Sequence, residues 1–194
     1  MKKSLVLALS ISLSACAVFA AAGCGENTGT ARTYMEQADA TFEEASEAAD
    51  DLQKAQEGAI GALVGQDPAA FVATGALLPD IKKGIDDYEK KLQAAATAYR
   101  KIDTLEGVAP YKTYAKKMLE VIDVYLESVV VGRAIVAEVE KVIAQIQSGQ
   151  PVDMAAATKP MFDQIKRALD LRNEALALEK EAGEYRNAQK LLVD

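Results

Sequence analysis

YKTYAKKMLEVIDVYLESVVVGRAIVAEVEKVIAQIQ, residues 111–147, decides the fold. Tyr111, Ala115, Met118, Ile122, Tyr125, Val129, Gly132, Val136, Val139, Ile143 and Ile146 recur at alternating steps of four and three. That spacing puts every one of them on one face of an α-helix, and the seven-residue period is that of long helices packed side by side. At 1.5 Å per residue the segment is about 55 Å long. Its apolar stripe requires other helices of similar length to cover it.

The rest of the chain supplies them. Gly107-Val108-Ala109-Pro110 precedes the segment and Ser148-Gly149-Gln150-Pro151 closes it, both turn signals. Upstream, Ile81, Ile85, Tyr88, Leu92, Ala95, Tyr99 and Ile102 form a second stripe, predicting a helix over 68–105 with a break near Pro79. A first helix over 30–64 carries Met35, Ala38, Phe42, Ala45, Ala49, Leu52, Ala59 and Leu63. Between these two, Gly65-Gln66-Asp67-Pro68 reads as a turn, with Asp67 as N-cap and Pro68 in the first helical position. The last helix, over 151–192 with Pro160 near its start, carries Met161, Ile165, Ala168, Leu171, Ala175, Leu178, Ala182 and Tyr185. Short turns make neighbours antiparallel. The expected fold is therefore all-α: an antiparallel up-down-up-down four-helix bundle over 31–194, with long helices.

The two halves resemble each other at a shift of 84 residues. Gly65-Gln66 falls on Gly149-Gln150, Thr74 on Thr158, Ile81-Lys82 on Ile165-Lys166, Asp86 on Asp170 and Leu92 on Leu176. Eighty-four is a whole number of heptads, so the pattern fits a duplicated αα-hairpin as well as two amphipathic pairs of similar composition.

Composition agrees with long helices and excludes much chemistry. The 194 residues include 36 Ala, no His, no Trp and two Cys, and the formal charge is −7. An acidic chain is a poor partner for nucleic acid phosphates. Without His there is no Glu-x-x-His di-iron pair, no haem-attachment motif and no Ser-His or Cys-His triad. No glycine-rich phosphate loop occurs. No cofactor, metal site or catalytic residue is expected. The acid pairs Glu43-Glu44, Asp50-Asp51 and Asp86-Asp87 point about 100° apart on a helix and read as solvated faces.

The N-terminus is an address. Lys2 and Lys3 precede an uncharged, mostly apolar run over 4–22, followed by Gly23 and Cys24. Ala21-Ala22-Gly23-Cys24 resembles a bacterial lipobox, and so does Leu13-Ser14-Ala15-Cys16. The resemblance implies a lipoprotein: a signal peptide over 1–23, acylation of Cys24, and a mature domain anchored outside the cytoplasm by lipid rather than by a membrane-spanning helix. Cys16 has the better Leu three residues ahead but is followed by apolar residues; Cys24 is followed by Gly25-Glu26-Asn27-Thr28-Gly29-Thr30, a polar tether over 24–30. Cleavage before Cys24 would leave 20 basic and 29 acidic residues.

Three groups are candidate functional residues. Counted from the turn near Val108, Tyr99 and Tyr114 lie at one height on neighbouring helices, and Tyr88 and Tyr125 at another, a pairing suited to core packing or to lining a ligand cleft. Val124, Val130 and Val131 fall outside both core rows of residues 111–147, as a partner-contact patch or as residues covered by a neighbour. Segments 69–78 and 152–159 lie at one end, where Phe71, Leu77, Met154 and Phe162 could border a pocket. Gly132 reads as a close helix crossing or a pocket wall. Arg133 is expected to pair with an acid on the first or last helix, or to reach water. The expected function is a non-catalytic interaction or structural module of the cell envelope, contacting another envelope protein. The alternative is a carrier holding a small ligand or lipid between its helices.

Overall fold

The computed structural model describes residues 27–54, 56, 61 and 67–191. Every regular element among them is helical. We label as α1 the helix over residues 27–54. α2 is Pro68–Ala73, continued by a 3₁₀ turn at Thr74–Leu77; α3 is Leu78–Asp103, α4 Ala109–Gln147 and α5 Met154–Ala188. The signal segment, Cys16 and Cys24 lie outside the described residues. So does the end expected for the first helix, Val64.

The caps follow from local chemistry. The Asp67 carboxylate accepts from the Ala69 N–H at 2.9 Å, and Pro68 stands in the first turn of α2, as the sequence indicates. The Asp153 carboxylate accepts from the Ala156 N–H at 3.2 Å, so α5 starts at Met154 rather than at Pro151. Gly107 and Gly149 hold φ of 75° and 72° in the two interhelix turns, a conformation that a Cβ disfavours. The break foreseen near Pro79 is the Thr74–Leu77 turn, which lets Pro79 begin α3 without losing a helical N–H bond. The expected tether over 24–30 is shorter than foreseen. Residues 27–30 are already helical, because Ala31 and Met35 are fully buried and Asn27 Nδ2 donates to the Glu106 carbonyl at 3.0 Å.

Side-chain contacts give the topology. α1 runs antiparallel to α3, with Asp39 against Tyr99 and Leu52 against Gly84. α3 runs antiparallel to α4, through Tyr88 against Tyr125 and Ile85 beside Gly132. α4 runs antiparallel to α5, joined by Arg167–Glu127 and Lys117–Glu181 ion pairs. α5 returns antiparallel to α1, where Arg172 meets Gln53 and Arg186 meets Asp39. This is the up-down-up-down four-helix bundle. Its core runs the length of the molecule, from Phe71, which seats α2 over one end, through Leu92, Val121 and Ile122 to Ile102 and Val108 at the other.

α4 is deeply enclosed, and this decides between the two readings of its valines in favour of cover by a neighbour. Val131 is only 3% exposed and Val124 is half-buried; Val130 alone, at 64%, faces solvent. Val131 is buried apart from the main core of the bundle, on a third row beyond the two heptad rows. Leu171 and Ala175 of the neighbouring α5 are buried as well. The three valines therefore form no outward patch. Gly132 faces α3 without a crossing that demands glycine: a Cβ there would lie 3.7 Å from Ile85 Cδ1, an ordinary contact. Among the described residues Arg133 pairs with α3 rather than with the first or last helix: its guanidinium donates to Asp86 at 2.7 Å and to Glu89 at 2.5 Å. That exposed pairing adds little stability.

Candidate functional site

The tyrosines meet in the pairs that their heights indicate. Tyr99 and Tyr114 pack edge to face with ring centroids 6.1 Å apart. Tyr88 and Tyr125 do so at 6.3 Å, with Phe42 of α1 6.1 Å from Tyr125. A buried phenol needs an acceptor. In the Tyr88–Tyr125 pair, Glu179 of α5 accepts from the Tyr125 hydroxyl at 3.0 Å.

For Tyr99 and Tyr114 the acceptor is Asp39 of α1, a residue that sequence reasoning passed over. Its Oδ1 accepts from the Tyr99 hydroxyl at 2.5 Å and from the Tyr114 hydroxyl at 2.9 Å. Its Oδ2 faces Nη1 of Arg186, in the last turn of α5, at 3.3 Å. The Arg186 guanidinium also lies over the Tyr114 ring, 5.9 Å from its centroid. All four long helices thus converge on one carboxylate. The signal was present: two core phenols at one height call for an acceptor, and Asp39 follows the core residue Ala38 on the facing helix.

Above this cluster a cleft of about 550 Å³ opens between α1 and α5. Tyr99, Tyr114 and Met118 form its floor; Glu36, Asp39 and Glu43 stand on the α1 side, and Glu179, Gly183 and Arg186 on the α5 side. The pseudo-repeat explains why the bundle is open here. At the 84-residue shift, the α3 core positions Tyr88, Ala95, Tyr99 and Ile102 fall on Arg172, Glu179, Gly183 and Arg186. Where α3 fills the core with rings and aliphatic groups, α5 offers charge and a missing side chain. Its buried face is turned to Leu171, Ala175 and Ala182 instead. Thr74 and Thr158, superposed by the same shift, are the buried polar residues of the described chain, and each hydroxyl donates to a carbonyl of its own helical segment.

A Cβ on Gly183 would meet nothing within 4 Å. Gly183→Ala is therefore expected to stabilise the domain by about 0.5–1 kcal/mol through helix propensity, read as a higher urea midpoint at unchanged m-value.

The tyrosines also set a pH limit. Burial, and then the Asp39 carboxylate, push the Tyr99 and Tyr114 hydroxyls well above their usual range. Burial and then Tyr125 do the same for Tyr88, and burial and then Glu179 for Tyr125. The folded state thus holds these protons more tightly than the unfolded chain. Their contribution is complete below the unfolded value, about pH 10, and is lost as pH rises toward the raised folded values. Unfolding free energies from urea titration are expected to hold to about pH 9 and then fall, by up to about 1.4 kcal/mol per pH unit for each of the buried Tyr88, Tyr99 and Tyr114, and by less for the half-buried Tyr125. Tyr99→Phe should make that fall shallower.

A smaller cleft of about 370 Å³ lies at the opposite end, between the C-terminal part of α4 and the segment through Gln150, Pro151, Val152 and Asp153. None of Phe71, Leu77, Met154 or Phe162 lines it. Among the described residues, no three acids or other metal-binding groups come together to hold a metal ion, and no helix is long and apolar enough to cross a membrane. No protein-family model matches the chain, and neither a curated protein nor a solved structure matches it.

Proposed function

We propose that this chain is a non-catalytic, lipid-anchored ligand-binding bundle of a bacterial cell envelope, holding small cargo between α1 and α5. The cleft over Tyr99, Asp39 and Tyr114 carries the reading. Its volume is in the range of small-molecule sites, about 300–1,000 Å³, and its floor combines aromatic surface with a few convergent polar groups. The lipobox resemblance at Cys24 supports the anchor. Cys24 stands three residues before α1, a reach of at most about 11 Å of extended chain. Asp39 is twelve residues into α1, about 18 Å along its axis. Anchoring at Cys24 would thus hold the cleft near the bilayer surface, with the α4–α5 turn pointing away.

The test has two parts. Intact-mass analysis of the mature chain should show a diacylglyceryl-modified Cys24, lost in Cys24→Ser. Native mass spectrometry of the full mature chain, released from detergent micelles, should show a small-molecule adduct that leaves on activation. A bare chain would contradict the carrier reading.

The second reading, an interaction module, has its own observation. Phe162, Leu169 and Leu176 are exposed and seven residues apart on α5. Site-specific photo-crosslinkers at these three positions in intact cells would trap the envelope partner that this reading requires.

A further inference from the structure

We infer that the cleft takes a small organic cation, an ammonium or guanidinium on a short apolar stem, and that Arg186 occupies the cation position while the cleft is empty. The inference rests on the ligand-binding reading and specifies its chemistry. Four carboxylates, Glu36, Asp39, Glu43 and Glu179, line the cleft with one guanidinium, that of Arg186; Glu36 is paired with Arg32 at 2.9 Å and Glu179 accepts from Tyr125 at 3.0 Å, which leaves the excess negative charge on Asp39, Glu43 and Glu179. They are spread along it rather than gathered into a metal cage, so the negative field suits an extended organic cation better than a bare ion.

The innermost carboxylate is prepared for this. Two phenols fix Asp39 through Oδ1 and leave Oδ2 turned to a cation. A carboxylate offers about four acceptor sites, and the chain fills three of them. The Tyr114 face, already under Arg186, is a second cation-attracting surface, and Met118 and Phe42 supply apolar contact for a stem.

Arg186 fits the role of a place-holder. A well-aligned Arg–carboxylate pair is frequently bidentate, at about 2.7–2.9 Å. Here one nitrogen reaches Asp39 at 3.3 Å, and Nε is buried without a hydrogen-bond partner. The guanidinium satisfies the charge but not the geometry, so an incoming cation with freedom to align can replace it.

Agmatine, a guanidinium joined to an ammonium by four methylenes, is the probe, and butyrate the anionic control. Calorimetric titration of the full mature chain in detergent should show agmatine binding that weakens with added salt and no butyrate binding. Asp39→Asn should weaken agmatine at least about ten-fold, and Glu43→Gln, at the rim, about three-fold. Arg186→Ala should bind agmatine about ten-fold more tightly than the wild type, and agmatine should restore the thermal stability that this substitution removes. Arg186→Gln carries the same test if circular dichroism shows that the alanine variant has lost its helices. Equal or weaker binding by the folded Arg186 variant would overturn the place-holder. A preference for butyrate, or a neutral or anionic adduct in native mass spectrometry, would overturn the cation class and leave the carrier reading standing. Neither adduct nor agmatine binding would overturn both.

Discussion

Asp39→Ala should cost the domain about 2–4 kcal/mol and lower its melting temperature by roughly 4–16 °C. Most of this cost comes from what remains. Tyr99 is fully buried and Tyr114 nearly so; without Asp39 both hydroxyls lose their acceptor, and Arg186 loses its counter-charge. Each unsatisfied buried polar group costs about 1–3 kcal/mol, partly relieved here because the cleft admits water. A companion variant separates this from a favourable polar network. Asp39→Leu combined with Tyr99→Phe and Tyr114→Phe removes both buried phenol donors together with their acceptor and leaves only Arg186, 31% exposed and able to reach water, so it should return to within about 1 kcal/mol of the wild type. If so, the cluster contributes little net stability, which is the pattern of a site retained for binding. A triple variant as unstable as Asp39→Ala would mean instead that the network holds the bundle together. Urea unfolding of the three proteins decides between them.

Leu92→Ala and Leu176→Ala form the second test, on residues superposed by the 84-residue shift. Leu92 is fully buried on α3, whereas Leu176 is exposed on α5. Truncating a buried leucine loses transfer energy and leaves a cavity, for an expected cost of about 2–5 kcal/mol. The same change at Leu176 should stay within about 0.5 kcal/mol. A similar loss at both positions would mean that α5 packs with the same face as α3. That would remove the physical origin of the cleft, which lies in the turning of the α5 pseudo-repeat face away from the core.

The architecture was legible because it rests on period alone. Eleven residues of α4 at alternating steps of four and three leave no doubt about helix or length, and Asp67-Pro68 and the Gly107 and Gly149 turns mark where chains reverse. The height matching of Tyr99 with Tyr114 and of Tyr88 with Tyr125 follows from counting residues out from one turn. What counting does not give is rotation about the helix axis. Two heptad rows leave Val131 outside, whereas in the bundle it is buried on a third row, as are Leu171 and Ala175 of α5. Asp39 and Arg186 escaped for the same reason. Each flanks its helix's apolar stripe, where one step of about 100° separates a solvated charge from one that closes the core. Their pairing depends on how α1 and α5 are turned toward each other, and no motif within either helix encodes that.

The central claim is that the cleft over Tyr99, Asp39 and Tyr114 is a binding site. Tyrosine-labelled NMR of the full mature chain in detergent tests it most directly, through titration with the small-molecule fraction of the cells that make the protein. The ring signals of Tyr99 and Tyr114 should shift together, those of Tyr34 and Tyr111, outside the cleft, should stay in place, and Asp39→Asn should abolish the response. Signals of Tyr99 and Tyr114 that remain unmoved while the fraction binds elsewhere, or not at all, would contradict the account.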